Sequence, residues 1–223
     1  VQGKKVFDPR TSTTAYSTNP ALCIRDYLTD TKYGFGASSD EIDDTSFITA
    51  SNICDETVAL NAGGTETKYT LNGTFESNST PKQTLENLLT SMAGIVTYTN
   101  GNFKIKAGKY IAPTVTLDEN DIRGAIGLQT NRSKRDNFNA VKGLFVSPNN
   151  NYISADYPAF TSTTFQTEDG GDQAFLDLDL AYTTSATMAQ RLAKIALFRN
   201  RQKISMTMLC SLKAFQLDIG DVV

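Results

Sequence analysis

The sequence contains no histidine and no tryptophan, and only three of its 223 residues are cysteines. Without histidine the chain cannot form a Ser-His-Asp or Cys-His catalytic group, and it cannot bind zinc through imidazole. Cys23, Cys54 and Cys210 lack the C-x-x-C spacing of redox and zinc motifs, so we expect buried free thiols. Gly34-x-Gly36 lacks the third glycine of a dinucleotide-binding loop, and no phosphate-binding loop motif is present. We therefore predict no metal site and no cofactor.

The chain also lacks a strong charge of either sign and a long apolar run. Its 21 basic and 24 acidic side chains give a formal net charge of -3, which is no electrostatic footprint for nucleic acid or an anionic membrane. No apolar stretch approaches the roughly 18 residues of a membrane-spanning helix. The first residues have neither an initiator methionine nor a signal-peptide core, and the last two are apolar. We expect the chain to be a piece of a longer polypeptide.

The chain contains enough apolar residues to form a folded core. Hydrophobic residues make up 39% of the chain. A compact monomer of this mass should expose roughly 10,000 Å², against about 35,000 Å² for the extended chain. The sequence therefore predicts a globular protein rather than a disordered one.

Local patterns predict an α+β unit over residues 1–110. A short strand at 5–10 precedes two helices that begin at Asn19-Pro20 and at Asp43. A strand at 68–73, a helix from Thr80-Pro81 with a left-handed stop at Gly94, and a hairpin turning at Asn100-Gly101 follow. The Leu-rich helix should cover the apolar face of the small sheet.

Longer β patterns predict a second unit over residues 111–223, after a boundary near 108–114. Strands are expected at 114–117, 125–130, 138–146 and 204–208, and one long helix at 183–200. Residues 147–173 form a connection that is too long for a hairpin, and connections of this length are commonly functional or form interfaces.

Clustered carboxylates are the remaining source of acid–base chemistry in a chain without histidine. The acids at 40–44 precede a helix, where capping explains them better than catalysis. The clusters at 118–121 and 168–172 resemble calcium loops but lack the ligand ladder and the closing glutamate. Asp177 and Asp179 alternate with leucines, as in a half-exposed strand. We therefore predict no catalytic residue and no enzymatic activity.

One group of basic side chains is a candidate subunit interface. Arg132, Lys134 and Arg135 lie close together, and Lys142 follows soon after. A solvated edge would explain them, but so would pairing with carboxylates of a neighbouring subunit. From the residues alone, the chain is a binding or assembly module.

The sequence resembles the hub region of the tail tip attachment proteins (host specificity protein J family) of lambda-like siphophages. The resemblance extends over nearly the whole chain and depends on a series of short stretches in the same order. They are VFDPR at 6–10, NPA at 19–21, DYLT at 26–29, YG at 33–34, EID at 41–43, CDE at 54–56, YTLNG at 69–73, PK at 81–82, FNAVKG at 138–143, TTSAT at 183–187, QRLAK at 190–194 and KAF at 213–215.

The resemblance implies a structural role in the virion. Proteins of this family form a homotrimer at the distal end of the tail tube, where they contact the tube and other tail tip proteins. Residues 1–110 would be an α+β insertion or adaptor domain, and 111–223 a β-barrel-like hub domain with one long helix, truncated at its C-terminus. Receptor recognition belongs to regions outside this chain. The protein would be made in the bacterial cytoplasm, and the near-neutral net charge suits passage of DNA without specific binding.

Three alternatives remain open from the sequence. A glycan- or peptidoglycan-cleaving tail enzyme would show two carboxyl groups about 5–9.5 Å apart in an open cleft. A glycan-binding adhesin would bind sugars as an isolated chain. A hub of a contractile injection system would differ in its genomic neighbourhood and partner set.

Overall fold

The computed structural model describes residues 3–76, 78–130, 137–202 and 204–223 and shows a mixed α and β protein. The described helices are α1 (Pro20–Thr29), α2 (Asp44–Cys54), α3 (Pro81–Thr90), α4 (Thr163–Glu168) and α5 (Ala186–Asn200). The described strands are β1 (Lys5–Asp8), β2 (Thr13–Tyr16), β3 (Thr57–Ala59), β4 (Thr65–Thr67), β5 (Ile95–Thr99), β6 (Asn102–Lys106), β7 (Gly127–Gln129), β8 (Ala140–Lys142), β9 (Leu144–Ser147), β10 (Ile153–Asp156), β11 (Phe160–Thr161), β12 (Phe175–Asp177) and β13 (Ser205–Thr207).

The strands form small sheets rather than one large sheet. Among the described strands there are five antiparallel pairs: β1–β2, β3–β4, β5–β6, β9–β10 and β7–β13. There is also a three-stranded sheet, in which β8 lies between antiparallel β11 and parallel β12. None of these sheets closes into a barrel over the described ranges, so a barrel-like domain at 111–223 is not seen in the isolated chain. The α+β class is confirmed.

Helix starts follow the predicted capping residues. The side chain of Asn19 accepts hydrogen bonds from the backbone N–H groups of Ala21 and Leu22, and Pro20 is the first helical residue of α1. Asp43 caps α2 in the same way, and Thr80 caps α3. These side chains satisfy donors that every helix leaves unpaired at its N-terminus, which is why the boundaries can be predicted locally.

The hairpin of β5 and β6 has the predicted register. Tyr98 pairs with Phe103 and Val96 with Ile105. Asn100 and Gly101 have φ angles of 54° and 81°, the left-handed pair that a two-residue turn of type I′ requires.

The prediction of Gly94 as a left-handed helix stop is wrong in its mechanism. The left-handed residue after α3 is Ala93, with φ of 47°. A Cβ atom on Gly94 would lie 2.9 Å from the carbonyl oxygen of Lys106 and 2.7 Å from Cε of Met92. Glycine is required there because the chain passes close to β6.

Several predicted strands are corrected by the structure. Residues 68–73 and 114–117 adopt no regular secondary structure. The strand predicted at 138–146 is two strands, β8 and β9, separated at Gly143. This glycine has φ of 155°, and a Cβ atom on it would lie 2.1 Å from the carbonyl oxygen of Leu178. The backbone approach of Leu178 is non-local, so periodicity could not show it. The connection at 147–173 carries β10, β11 and α4.

The main core contains side chains from both predicted units. Helices α1, α2 and α3 contribute Ile24, Phe47 and Leu88, and α5 contributes Met188 and Leu192 to the same cluster. The predicted division at residues 108–114 falls in a stretch without helix or strand, and the two-domain organisation stays a prediction.

An extended segment at residues 69–72 connects the two parts of this core. The backbone N–H of Tyr69 donates to the carbonyl of Cys54 at 3.1 Å, and the N–H of Asn72 donates to the carbonyl of Tyr182 at 3.0 Å. Beside the segment, Arg191 on α5 donates to Glu66 Oε1 at 2.8 Å. Burial would raise the pKa of Glu66, but hydrogen bonds led by that from Arg191 outweigh burial and lower it.

Tyr69 is the largest of the fully buried side chains, and its hydroxyl donates to the carbonyl of Gly108 at 2.6 Å. We predict that Tyr69→Phe lowers the free energy of unfolding by about 1–2 kcal/mol, because the mutation leaves that buried carbonyl unpaired. Urea unfolding measures the change. Tyr110→Phe, at an exposed tyrosine, is the matched control and should shift stability by less than about 0.5 kcal/mol. Equal stability of both variants would show that the Tyr69–Gly108 bond contributes nothing.

Candidate functional site

Strands β7 and β13 form, with the 3₁₀ helix Leu212–Gln216, a surface that we call the apolar ribbon. Leu128 pairs with Met206 at its centre. The two strands pair only with each other among the described strands, and every residue in both is exposed. A two-stranded ribbon without a third strand or a covering helix is marginally stable in water. The apolar ribbon therefore requires a cover.

The side chains of the apolar ribbon are unusually apolar for a solvated surface. Leu212 is 80% exposed and Phe215 85% exposed. Further exposed apolar side chains on and beside the apolar ribbon are Ile126, Leu128, Ile204, Met206 and Leu209. Contiguous exposed apolar surface of this kind marks an interaction site in natural proteins.

Asp121 forms hydrogen bonds at the end of the apolar ribbon where Ile122 lies beside Cys210. Its carboxylate accepts from Lys213 Nζ at 2.8 Å and from Ser211 Oγ at 3.1 Å, and Ile122 bridges to Cys210. The bond from Lys213 is the main cause that lowers the pKa of Asp121. The acidic cluster at 118–121 thus has a structural use that sequence reasoning did not assign.

The accessible surface of the whole chain is 13506 Å². This is roughly 3,500 Å² more than the 10,000 Å² or so of a compact monomer of the same mass. Obligate interfaces between subunits bury about 2,000–5,000 Å² in total, or about 1,000–2,500 Å² on each partner, so the excess is larger than one such interface covers on a single chain.

Of the four predicted interface residues, Lys142 lies within the described part of the chain. It ends β8, lies 3.7 Å from Asp177 and stands over the ring of Phe175 at 5.2 Å. Arg132, Lys134 and Arg135 lie outside the described residues. The predicted interface role of all four stays a prediction.

A cavity of about 560 Å³ opens between α1, the segment at 71–75 and the end of β2. Its polar groups and rings come from distant parts of the sequence: Lys4, Tyr16, Asp26, Tyr33, Tyr152 and Tyr182 among others. The size is that of a small-molecule site. Sequence reasoning did not find this cavity, because no local pattern brings residues 4, 152 and 182 together.

Lys4, Asp26 and Asp30 form an ionic group at the cavity. Asp26 and Asp30 are one helical turn apart, so they lie on the same side at the end of α1. Lys4 Nζ lies 2.7 Å from Oδ2 of each carboxylate. Asp30 also accepts from the backbone N–H groups of Lys32 and Tyr33 at 2.8 Å. These bonds, first that of Lys4, lower the pKa of Asp30 to about 2.

The electrostatics of these carboxylates are not those of a glycoside hydrolase. Because both contact one nitrogen, their oxygens are roughly 5 Å apart at most, a limit that is compatible with a retaining pair. Such a pair needs one carboxyl with a raised pKa that can donate a proton. Lys4 sits between the two acids, and the pKa of Asp30 is lowered. The pair is therefore suited to accepting hydrogen bonds rather than to transferring a proton.

The thiols and the possible metal ligands add no further site. Cys54 is buried and Cys23 partly so, and burial raises the pKa of each thiol to about 12, so neither is a thiolate at neutral pH. Within the described ranges no group of cysteine and acidic side chains has the arrangement of a metal site. None of the helices in these ranges has the length and apolarity needed to cross a bilayer.

Comparison of the sequence with protein-family models and with curated proteins gives no match.

The ion pair between Asp30 and Lys4 at the cavity should depend on pH. Because the pKa of Asp30 is lowered from 3.8 to about 2, its bonds to Lys4 should be complete above pH 4 and lost as the pH falls toward 2. Carboxyl carbon chemical shifts, measured by NMR across this range, should give a midpoint near pH 2. Lys4→Met should raise that midpoint, while the backbone donors keep it below 3.8. A midpoint near 3.8 in the unchanged chain would contradict the contact.

Proposed function

We propose that this chain is a hub region of a phage or prophage tail tip attachment protein, with a structural role in tail assembly, host adsorption and genome delivery. In this proposal the hub is built from three copies of the protein, and the chain meets its neighbouring copies through the apolar ribbon. The uncovered apolar ribbon is the observation that carries the proposal.

The first support is the order of the short stretches that resemble the tail tip family. They are distributed over nearly the whole chain, and several lie at points that determine the fold. NPA at 19–21 starts α1, YTLNG at 69–73 includes the segment that joins the two parts of the core, and FNAVKG at 138–143 includes the strand break at Gly143. Because these residues determine the fold, the resemblance favours a similar fold rather than only a similar surface composition.

The second support is the incompleteness of the isolated chain. β7 and β13 expose both faces, and the excess accessible surface is within the roughly 2,000–5,000 Å² that two obligate interfaces would cover on one subunit of a trimer. A neighbouring copy would add strands beside the apolar ribbon and bury Leu128 and Met206. A barrel-like hub wall at 111–223, which the chain alone does not close, would then be completed between subunits.

Labelling of virus particles tests the role directly. Antibodies raised against this chain and coupled to gold should label the distal tail end of particles released from cells that carry the encoding element. Antibodies against a capsid protein serve as the positional control. Labelling at the capsid, or particles that lack the chain altogether, would contradict the proposal.

Charge introduced into the apolar ribbon tests the interface. Leu128→Asp combined with Met206→Asp changes two exposed, paired side chains, so the fold of one subunit should be retained. We expect the subunit association of the intact attachment protein, measured by sedimentation velocity, to weaken by at least about 100-fold, because two charges would be desolvated at each contact. Ile153→Asp, at an exposed apolar side chain of another sheet, is the matched control. An unchanged trimer in the double variant would contradict the assigned interface.

A further inference from the structure

We propose that the cavity between α1 and the segment at 71–75 binds a neutral saccharide. The inference does not depend on the proposed assembly role, because the cavity is formed within one chain. It comes from the chemistry of the cavity wall, which combines exposed aromatic rings with fixed hydrogen-bonding groups and has no strong net charge.

The most informative group in the wall is Tyr182. It lines the cavity. Its hydroxyl makes no hydrogen bond to any residue in the described ranges. Burial, and secondarily Tyr27 beside it, raises the pKa of Tyr182, so the hydroxyl is neutral and can both donate and accept. Because no group of the described residues pairs with it, this hydroxyl is open to a hydrogen bond with water or with a ligand.

Aromatic rings surround that hydroxyl. Tyr27 is fixed by Phe75, with ring centroids 5.3 Å apart in an edge arrangement. Tyr16, Tyr33 and Tyr152 are exposed at the opening of the cavity. Tyr152 and its preceding residue have left-handed backbone angles, with φ of 60° at Tyr152, a strained conformation for a bulky side chain. Such rings give flat apolar faces for the carbon side of a sugar ring and hydroxyl tips for its rim.

The ionic group decides between classes of ligand. Asp26 and Asp30 disfavour an anion, and Lys4, held 2.7 Å from both, disfavours a cation. A wholly apolar ligand would leave the Tyr182 hydroxyl without a partner. A neutral ring with apolar faces and a rim of hydroxyl groups satisfies all three kinds of group.

Tyrosine fluorescence tests the proposal on the full chain. The chain has nine tyrosines and no tryptophan, and five of those tyrosines line the cavity. Glucose, galactose, N-acetylglucosamine, maltose and chitobiose are the probes, with calorimetry as the second readout. We expect at least one of them to give saturable binding with a Kd of about 0.1–1 mM.

Two variants and one control locate the binding. Tyr182→Phe removes only the unpartnered hydroxyl and should weaken binding about tenfold, the equivalent of one hydrogen bond. Tyr33→Ala removes a ring at the opening and should weaken binding by a similar factor. Tyr110→Phe, at an exposed tyrosine outside the cavity, should bind as the unchanged chain does. Circular dichroism shows that each variant is folded.

Four results would overturn the proposal. The first is the absence of binding by every probe at 20 mM, well above the expected Kd. The second is binding that both cavity variants retain at full strength. The third is saturable binding of choline that Tyr182→Phe or Tyr33→Ala weakens, which would identify a cage for cations instead. Binding to this chain but not to the assembled attachment protein would show that a neighbouring subunit fills the cavity, and would overturn the proposal as well.

Discussion

The fold depends on an extended segment, residues 69–72, that passes through the core and is hydrogen-bonded on both sides. Its backbone reaches Cys54 on one side and Tyr182 on the other, and the hydroxyl of Tyr69 pairs with a buried carbonyl. Buried backbone groups must find partners, and here the partners come from both ends of the sequence. Within the segment, the N–H of Thr70 lies 3.2 Å from Sδ of Met188, which ties α5 to this part of the core. The segment also sets the position of Tyr182 at the cavity.

The helical core and the apolar ribbon differ in how far their apolar side chains are buried. The helical core is packed around fully buried side chains such as Phe47 and Leu192. The apolar ribbon lies outside that core and has only its own two strands and a short 3₁₀ helix. Stability in proteins is distributed unevenly, and regions with few buried contacts open most readily. A region of that kind with apolar side chains is suited to assembly with a partner, which completes the contacts that the single chain lacks.

Local features could be predicted from the sequence, and non-local ones could not. Capping by Asn19 and Asp43 and the turn at Asn100 depend on neighbours a few residues away, so their chemistry is visible in the sequence. The break at Gly143 depends on Leu178, and the cavity depends on residues that are more than 150 positions apart. Asp26 and Asp30 are four residues apart at the end of α1, but nothing local indicated that Lys4 would lie between them. The exposure of β13 was also hidden, because its alternation of apolar residues is the same in a covered strand and an uncovered one.

Amide hydrogen exchange tests the central claim, that the apolar ribbon is covered in the assembled protein. Exchange at residues 127–129 and 205–207 is measured by mass spectrometry in the isolated chain and in the proposed assembly of the intact protein, with β5 and β6 as the internal reference. The account predicts rapid exchange of the apolar ribbon in the isolated chain and strong protection in the assembly, while the reference hairpin changes little. Equally rapid exchange in both states would contradict it.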